Sequence, residues 1–379
     1  MTIADTSRAR ILYAREITWG ETPASPDMTE LRLTGESLTH DKETATSGEI
    51  RSDRMRSGVF ETGASASGSI DFELTFGSFD TLLEGALQNS IVETTLSGIG
   101  LDFDTSMITA EFSSNWTGYE AGQWIKISGA TNTENNGIFQ INDITNEVAT
   151  LNTSSLITET TTGAVITGNR LRNGTTAQSF VFEKQFQDVS EYISLTGLRV
   201  DTFSLDISTN SIVTGSFGFQ GKGAVSAASS ISGSIAAPNS NKPFSSNVNV
   251  GALQEGGVDL TTTIQSLSLS LSNNLRTQAA LGSKNVSGIG SGSIDLTGSL
   301  TAYFEDNGLY QKFLEHTETS LSFRLTDVNQ NVMIFTIPKI QFTAGNPVAE
   351  GPDQDVLLPV EFTAIRDDVS NAVLLIDLL

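Results

Sequence analysis

The chain has no cysteine. That removes disulfide frameworks, thiolate nucleophiles and cysteine-ligated metals, and it fits synthesis in a reducing compartment. Histidine is nearly absent, at His40 and His316. With no G-x-S-x-G elbow and no thiol to activate, neither reads as catalytic. Basic residues are scarce, 21 against 44 acids, for a net charge of −23, which opposes gross attraction to a phosphate backbone. Proline is limited to 8 residues and aromatics to 7%, so several small cores are expected rather than one large one. No apolar run approaches the length of a membrane span. Met1–Gly20 carries Arg8, Arg10 and Arg15 in a broken apolar pattern and does not read as an export signal.

Glycine (34), serine and threonine are plentiful, and they punctuate short alternating runs. Ile70, Phe72, Leu74 and Phe76 fall on one face of Ser69–Phe76. Phe203–Ile207 and Ile264–Leu271 alternate in the same way. Period-two alternation places apolar residues on one side of a sheet, so the fold class is mainly β. Two stretches differ: Phe79–Gln88 and Leu309–His316 space their apolar residues by three and four, the mark of one helical face. Asp80 and Asp306 lie near the helix starts and His316 at an end, each on the side that suits the helix dipole.

The helices expose an internal repeat. Ser67-Gly68-Ser69-Ile70-Asp71 recurs as Ser291-Gly292-Ser293-Ile294-Asp295, and each copy runs through a strand into a helix. Strand patterns follow at Phe180–Lys184, Leu195–Val200 and Thr214–Phe219 in one copy, and at Leu321–Leu325, Ile334–Ile340 and Val360–Ala364 in the other. Before each lies a strand, Leu31–Leu38 or Leu267–Leu271, and a long polar loop, His40–Gly63 or Ser272–Gly290. One small β-sandwich or barrel with a single short helix is therefore present twice. Only the first copy carries a long segment after its helix, with strands at Trp124–Gly129, Gly137–Ile141, Val148–Leu151 and Gly163–Gly168 and a turn at Asn135-Asn136-Gly137. This reads as an inserted small β-barrel. The expected domains are residues 1–90 with 169–222, the insertion at 91–168, a Ser/Gly/Ala/Asn-rich linker at 223–257 that has room for a further strand, and the second copy at 258–379.

Motifs for chemistry fail on spacing. Gly218–Gly223 lacks the four residues a phosphate loop needs before Gly-Lys, and Asp102/Asp104 and Asp353/Asp355 do not match a calcium loop. No catalytic residue, cofactor or metal is expected. Trp116, Tyr119 and Trp124 read first as core aromatics of the insertion; the alternative sets Trp116 and Tyr119 on its outer surface as contacts for a glycan or a protein. The loop His40–Gly63 concentrates Lys42, Glu43, Glu49, Arg51, Asp53, Arg54 and Arg56 among Ile50, Met55, Val59 and Phe60. Either it is a solvated loop, or it bridges to another subunit, where opposed charges would set register.

The stretches Glu16–Ala24, Leu31–Leu38, Lys42-Glu43-Thr44, Glu49–Arg54 and Gly63–Gly68, with Asn307–Tyr310 and Gly345-Asn346-Pro347 in the second half, resemble the tail tube proteins of siphophages. The resemblance covers most of the chain outside the insertion. It implies a β-sandwich flanked by a helix, with subunits that close their inner sheets into rings, and rings that stack around a tape-measure protein into a tube later conducting double-stranded DNA. Tail terminator and distal tail proteins are the other implied partners, with no membrane, and the location is the virion after synthesis in the host bacterial cytoplasm. On that footing the acidic balance suits a bore that does not bind the genome, the charged loop suits contact between rings, and the insertion projects outward. Two folds per chain favour three chains per ring with pseudo-sixfold symmetry over a hexamer. The competing readings are another tail component of the same fold, a terminator or distal hub, and a carbohydrate-binding, adhesin-like β-protein.

Overall fold

The computed structural model describes residues 3–349 and 351–379. It is mainly β, with two α-helices among the described residues, α1 (Asp80–Leu87) and α2 (Gly308–Glu315). The chain forms two compact units that cut across the expected boundaries. The first unit is Met1–Gln88 with Thr175–Pro243 and Ser266–Gly298; the second is Asn89–Gly174 with Phe244–Gln265 and Ser299–Leu379. The segment expected as insertion into the first copy thus sits in the second unit.

In the first unit the long strand Glu191–Ser208 organises two sheets. Its first half pairs with Phe180–Phe186, which pairs in turn with Ala9–Arg15. Its second half pairs with Thr214–Gly221, and that strand with Val59–Glu73. Alternation buries Ile70, Phe72, Phe203, Phe217 and Phe219. Phe72 lies 4.4 Å from Phe79 and 4.9 Å from Phe217 between ring centroids. Each such buried side chain contributes about 1.5–3 kcal/mol by leaving water. Leu82, Leu83, Ala86 and Leu87 form the buried face of α1, as their spacing predicts. The helix closes at Gln88 in the left-handed region (φ 49°), whose N–H donates to the Glu84 carbonyl. Gly85 lets it approach closely: a Cβ there would meet Phe180 Cε2 at 2.7 Å and Val200 Cγ2 at 3.2 Å.

The second unit repeats this ladder. Val332–Gly345 pairs first with Thr319–Thr326, then with Leu357–Ala364, and Val250–Glu255 flanks Thr319–Thr326 as Ala9–Arg15 flanks Phe180–Phe186. Even the irregularities match. Phe180↔Leu198 and Thr319↔Ile340 each precede a bulge, and a second bulge separates Val200 from Thr202 and Phe342 from Ala344. Bulges mark register, so Leu198 corresponds to Ile340 and Thr202 to Ala344. Phe323 and Phe335 stack at 4.9 Å in the core, and α2 also ends in a left-handed residue, His316 (φ 53°).

The insertion makes one eight-stranded sheet around its own core, including Leu101, Phe103, Ile108, Ile125, Ile127, Ile141 and Ile166. It wraps that core without closing: the end strands are Glu159–Thr161 and Thr95–Leu96, too short to complete a barrel ladder.

The Ser/Gly/Ala/Asn-rich segment 223–257 carries strands of its own. Gly223–Ala227 pairs with the first half of Glu191–Ser208, Ser234–Ala236 runs parallel to Asp27–Thr29, and Val250–Glu255 joins the second unit. Small residues there permit close strand approach rather than free motion. Glu183, fully buried, accepts from Ser230 Oγ (2.8 Å) and the Ile231 N–H (3.1 Å), pinning the segment. Leu31–Leu38 contributes only Gly35–Glu36 as strand, because after Leu31 its side chains are not buried in alternation.

Candidate assembly surface

The polar loop His40–Gly63 is a hairpin arm. Thr39–Thr46 pairs with the first half of Val59–Glu73, from Thr39↔Ser67 to Thr46↔Val59, and residues 47–58 form the tip. Thr44, Ala45, Thr46, Val59 and Phe60 give the arm its strand propensity, although nearly every side chain faces solvent. Ile50, Met55, Val59 and Phe60 are all exposed, Ile50 fully, at 99%. Large apolar side chains gathered on one exposed element mark a contact surface.

All seven charged residues expected at a contact lie on this arm. Lys42 and Glu43 sit on its outer strand; Glu49, Arg51, Asp53, Arg54 and Arg56 sit in the tip. Arg51 holds Asp53 at 2.5 Å, and the Met55 N–H donates to Asp53 Oδ1 at 3.1 Å, which shapes the tip turn. The Arg51 guanidinium, with the Met55 N–H, holds the Asp53 carboxyl below its ordinary value. Arg54 adopts φ 63° within this turn. At the base, Lys284 meets Glu61 at 3.0 Å, the Ala64 N–H donates to the Lys284 carbonyl, and the Val286 N–H donates to the Ala64 carbonyl. The braced base and exposed tip make a lever that leaves its outer edge, along Thr39–Thr46, unpaired among the described residues.

The corresponding loop of the second copy, Ser272–Gly290, is a shorter hairpin, Arg276–Gln278 with Gly288–Gly290, and it presents Leu281 fully to solvent.

Sheet edges are a second asymmetry. In the first unit, Thr202–Ser208 carries a strand on each side: Thr214–Gly221, and Ser266–Ser272 in the register Thr202↔Ser272 to Ser208↔Ser266. Asn273 locks that added strand. Its buried amide donates to the Ala86 carbonyl (2.9 Å) and the Val200 carbonyl (3.0 Å), and its N–H to the Asp201 carbonyl (2.7 Å). In the second unit the equivalent edge begins at Ala344 and, among the described residues, carries only Leu357–Ala364.

The insertion is mounted on the second unit by a buried ion pair. Arg170 Nε and Nη2 lie 2.7 and 2.8 Å from the two oxygens of Asp377, and Arg170 Nη2 also donates to the Gly122 carbonyl. Burial pushes the Asp377 carboxyl up, against the charge and hydrogen bonds of Arg170. Asn169–Arg172 pairs with the C-terminal strand Leu375–Leu378, and Trp124 and Ile138 pack on Val332, Ile334 and Leu379. No motif signals this joint; a lone Arg and a lone Asp far apart in sequence carry no spacing signature.

Trp116 and Tyr119 are not surface contacts. They are 3% and 8% exposed, meet edge to face at 5.4 Å, and donate to the Glu147 and Ile166 carbonyls, both at 2.8 Å. A core with few aromatics uses these rings for volume, and their polar tips find backbone acceptors. His40 accepts from the Ala224 N–H at its Nδ1 (3.3 Å). Among the described residues no cluster of His, Asp or Glu is arranged to hold a metal ion, and no helix is long and apolar enough to cross a membrane.

The Glu16–Gly20 motif has a structural basis. Glu16 accepts from the Gly20 and Gly197 N–H groups (both 2.7 Å) and from Ser179 Oγ (2.8 Å), while Trp19 Nε1 donates to the Gly197 carbonyl (2.9 Å). Gly197 has φ 69°, and a Cβ there would press on Lys222 and Trp19. Burial raises the Glu16 carboxyl above its ordinary value despite these donors.

The fold is a duplicated β-fold that presents an exposed apolar and charged arm and, among the described residues, an unfilled sheet edge, the kind of edge on which another strand can pair. The family described as phage tail tube protein matches residues 6–364, nearly the whole chain, and the protein belongs to that family of structural phage tail proteins. No curated protein matches the chain.

Proposed function

We propose that the chain is the major tail tube subunit of a phage with a long, non-contractile tail, acting without catalysis. In this reading, subunits close into rings, and rings stack into the conduit through which double-stranded DNA is ejected. The arm carries the proposal. Its tip residues Glu49, Arg51, Asp53, Arg54 and Arg56, with the Lys42 and Glu43 side chains at its base, reach the next ring, and its exposed apolar side chains are covered there. A contact between two different surfaces of the same chain repeats without limit, as a tube requires.

Each chain carries the fold twice, so three chains complete a ring with pseudo-sixfold symmetry. The net charge of −23 gives a bore that repels phosphate, so that the genome slides instead of binding. The tape-measure protein fills the tube during assembly in the host cytoplasm, and terminator and distal tail proteins cap it in the virion. The insertion, with nine acids and the single base Lys126 between residues 91 and 168, faces outward. Burial of Trp116 and Tyr119 removes the aromatic platform that an adhesin reading requires.

Negative-stain microscopy of the concentrated protein tests the proposal. Long tubes with three chains per ring are expected. Single rings would point to a terminator, and a strictly monomeric protein would overturn the tube assignment.

A further inference from the structure

The two copies of the fold differ at one edge, and the difference defines a joint between chains. In the first copy the edge starting at Thr202 is filled by Ser266–Ser272. In the second, the equivalent edge starting at Ala344 has no such strand among the described residues. The bulge that precedes both, Val200/Thr202 and Phe342/Ala344, makes the correspondence specific to the residue. Pro347 lies just beyond Gly345, and proline at a sheet edge is tolerated because it shortens the ladder without breaking the sheet.

The filling strand also has a counterpart. The Leu260 N–H donates to the Leu253 carbonyl (2.8 Å), and the Leu31 N–H donates to the Ile11 carbonyl (2.9 Å), at matching points of the two copies. Counting forward equally from Leu260 and Leu31, Ser266–Ser272 corresponds to Ser37–Glu43. Leu267 and Leu38, paired by this count, are both buried. Ser37–Glu43 runs into the outer strand of the arm, whose far edge is unpaired beyond His40.

We infer that the free edge at Ala344–Gly345 of one chain pairs, antiparallel, with Lys42–Glu43 of a second copy, in the register that Thr202↔Ser272 and Phe203↔Leu271 have within the chain. Ala344 faces Glu43 and Gly345 faces Lys42. This rests on the ring reading above and identifies which strands close the ring. The backbone of the arm's base joins neighbours in one ring and leaves the Lys42 and Glu43 side chains and the tip for the next ring.

The absence of cysteine makes the test clean. In a Glu43→Cys/Ala344→Cys variant the two positions, about 4.5–5.5 Å apart across an antiparallel pair, lie within the range of about 4.4–6.8 Å that a disulfide spans. Mild oxidation of assembled tubes should give chain multimers on a non-reducing gel, absent from either single variant. Ser204→Cys/Ser270→Cys, directly opposed within the chain, should form a bond that adds no mass and shows that oxidation is complete. Tubes that assemble, with this control oxidised but no Glu43–Ala344 multimers, would overturn the inferred joint while leaving the tube assignment standing. Hydrogen exchange on the unmodified protein decides independently of any variant's folding. On assembly, amides in Thr39–Thr46 should slow by about tenfold or more; equal rates in free chain and tube would overturn the pairing.

Discussion

The two copies share their ladders down to the bulges, yet each position of difference falls where a partner is or is not supplied by the chain itself. The first copy has a long free arm and a filled edge; the second has a short hairpin and an open edge. Ala227 pairs with Tyr192 in the first copy, and the matching place opposite Ile334 is taken by Asp377, which anchors the insertion through Arg170. Asp80 opens α1, whereas Gly308 opens α2. Backbone pairing specifies the fold at both sites, and the side chains at the edges decide what else each copy can hold.

The largest break in this comparison comes from the buried pair. Asp377→Ala takes both hydrogen-bonded oxygens from the buried Arg170 guanidinium and leaves it only Glu120, at 3.9 Å, as counter-charge, so it should destabilise the second unit by up to about 3–5 kcal/mol. Chemical denaturation followed by the fluorescence of Trp116 and Trp124 measures it. Trp19 belongs to the first unit, and a variant keeping it as the only tryptophan should show that unit's transition unmoved. An equal shift there would mean that the copies do not unfold separately. Arg170→Leu/Asp377→Leu should recover most of the loss, because two apolar side chains need no counter-charge.

The helices offer a smaller contrast. Gly85→Ala drives a methyl into Phe180 and should cost about 1–3 kcal/mol by overpacking, seen as a lower denaturant midpoint for the first unit. Asp80 is pushed up from 3.8 to about 6 by burial and by the neighbouring Glu84 charge. Its Oδ1 is buried without a hydrogen-bond partner. The folded state therefore keeps this proton to higher pH than the unfolded chain does. The stability it confers is complete below about pH 3.8 and is lost as pH rises through about 6. Asp80→Asn should thus stabilise the first unit at pH 7.5 by about 1–3 kcal/mol, since each pKa unit is worth about 1.4 kcal/mol, and add little at pH 3.5. Thermal melts at the two pH values check this. A gain at both would place the cause elsewhere than in ionisation.

Strand periodicity makes most of the fold legible in the sequence. Ile70 and Phe72, Leu267–Leu269–Leu271 and the runs after each helix lie in strands with those faces buried; the first run stops short, since its strand ends at Glu73 with Leu74 buried and Phe76 half-buried beyond it, and both helices lie within a residue or so of their expected positions. Alternation depends on local burial, which sequence records directly. What stayed hidden depends on distant residues. The arm's strands are exposed on both faces, so they lack the alternation that would separate hairpin from loop. The segment 223–257 is too small and polar to signal the ladders it joins. Arg170 and Asp377 meet only in three dimensions, as do the units that regroup the chain. Trp116 and Tyr119 illustrate the converse: composition leaves an aromatic free to be core or surface, and only the Glu147 and Ile166 carbonyls decide.

The smallest effect on folding should accompany the most specific effect on assembly. Arg54 and Arg56 are exposed in the arm tip, so Arg54→Glu/Arg56→Glu should leave both unfolding transitions unmoved, as surface changes away from packed features usually do. In the proposed contact between rings, charge complementarity is what the change removes. On a chain of net charge −23, three arginines within residues 51–56 have many acidic surfaces to meet, and reversing two of them sets like against like. The concentration needed to form tubes should rise by about tenfold, the equivalent of about 1.4 kcal/mol per contact, and added salt should raise the wild-type value and narrow the gap to the variant. Arg276→Glu, in the short hairpin of the second copy, serves as the matched control and should leave tube length unchanged. If it shortens tubes as much as the arm variant does, the two hairpins act alike and the asymmetry between the copies is structural only. If neither matters, ring stacking relies on the apolar residues of the arm, and Met55→Ser with Phe60→Ser becomes the decisive pair.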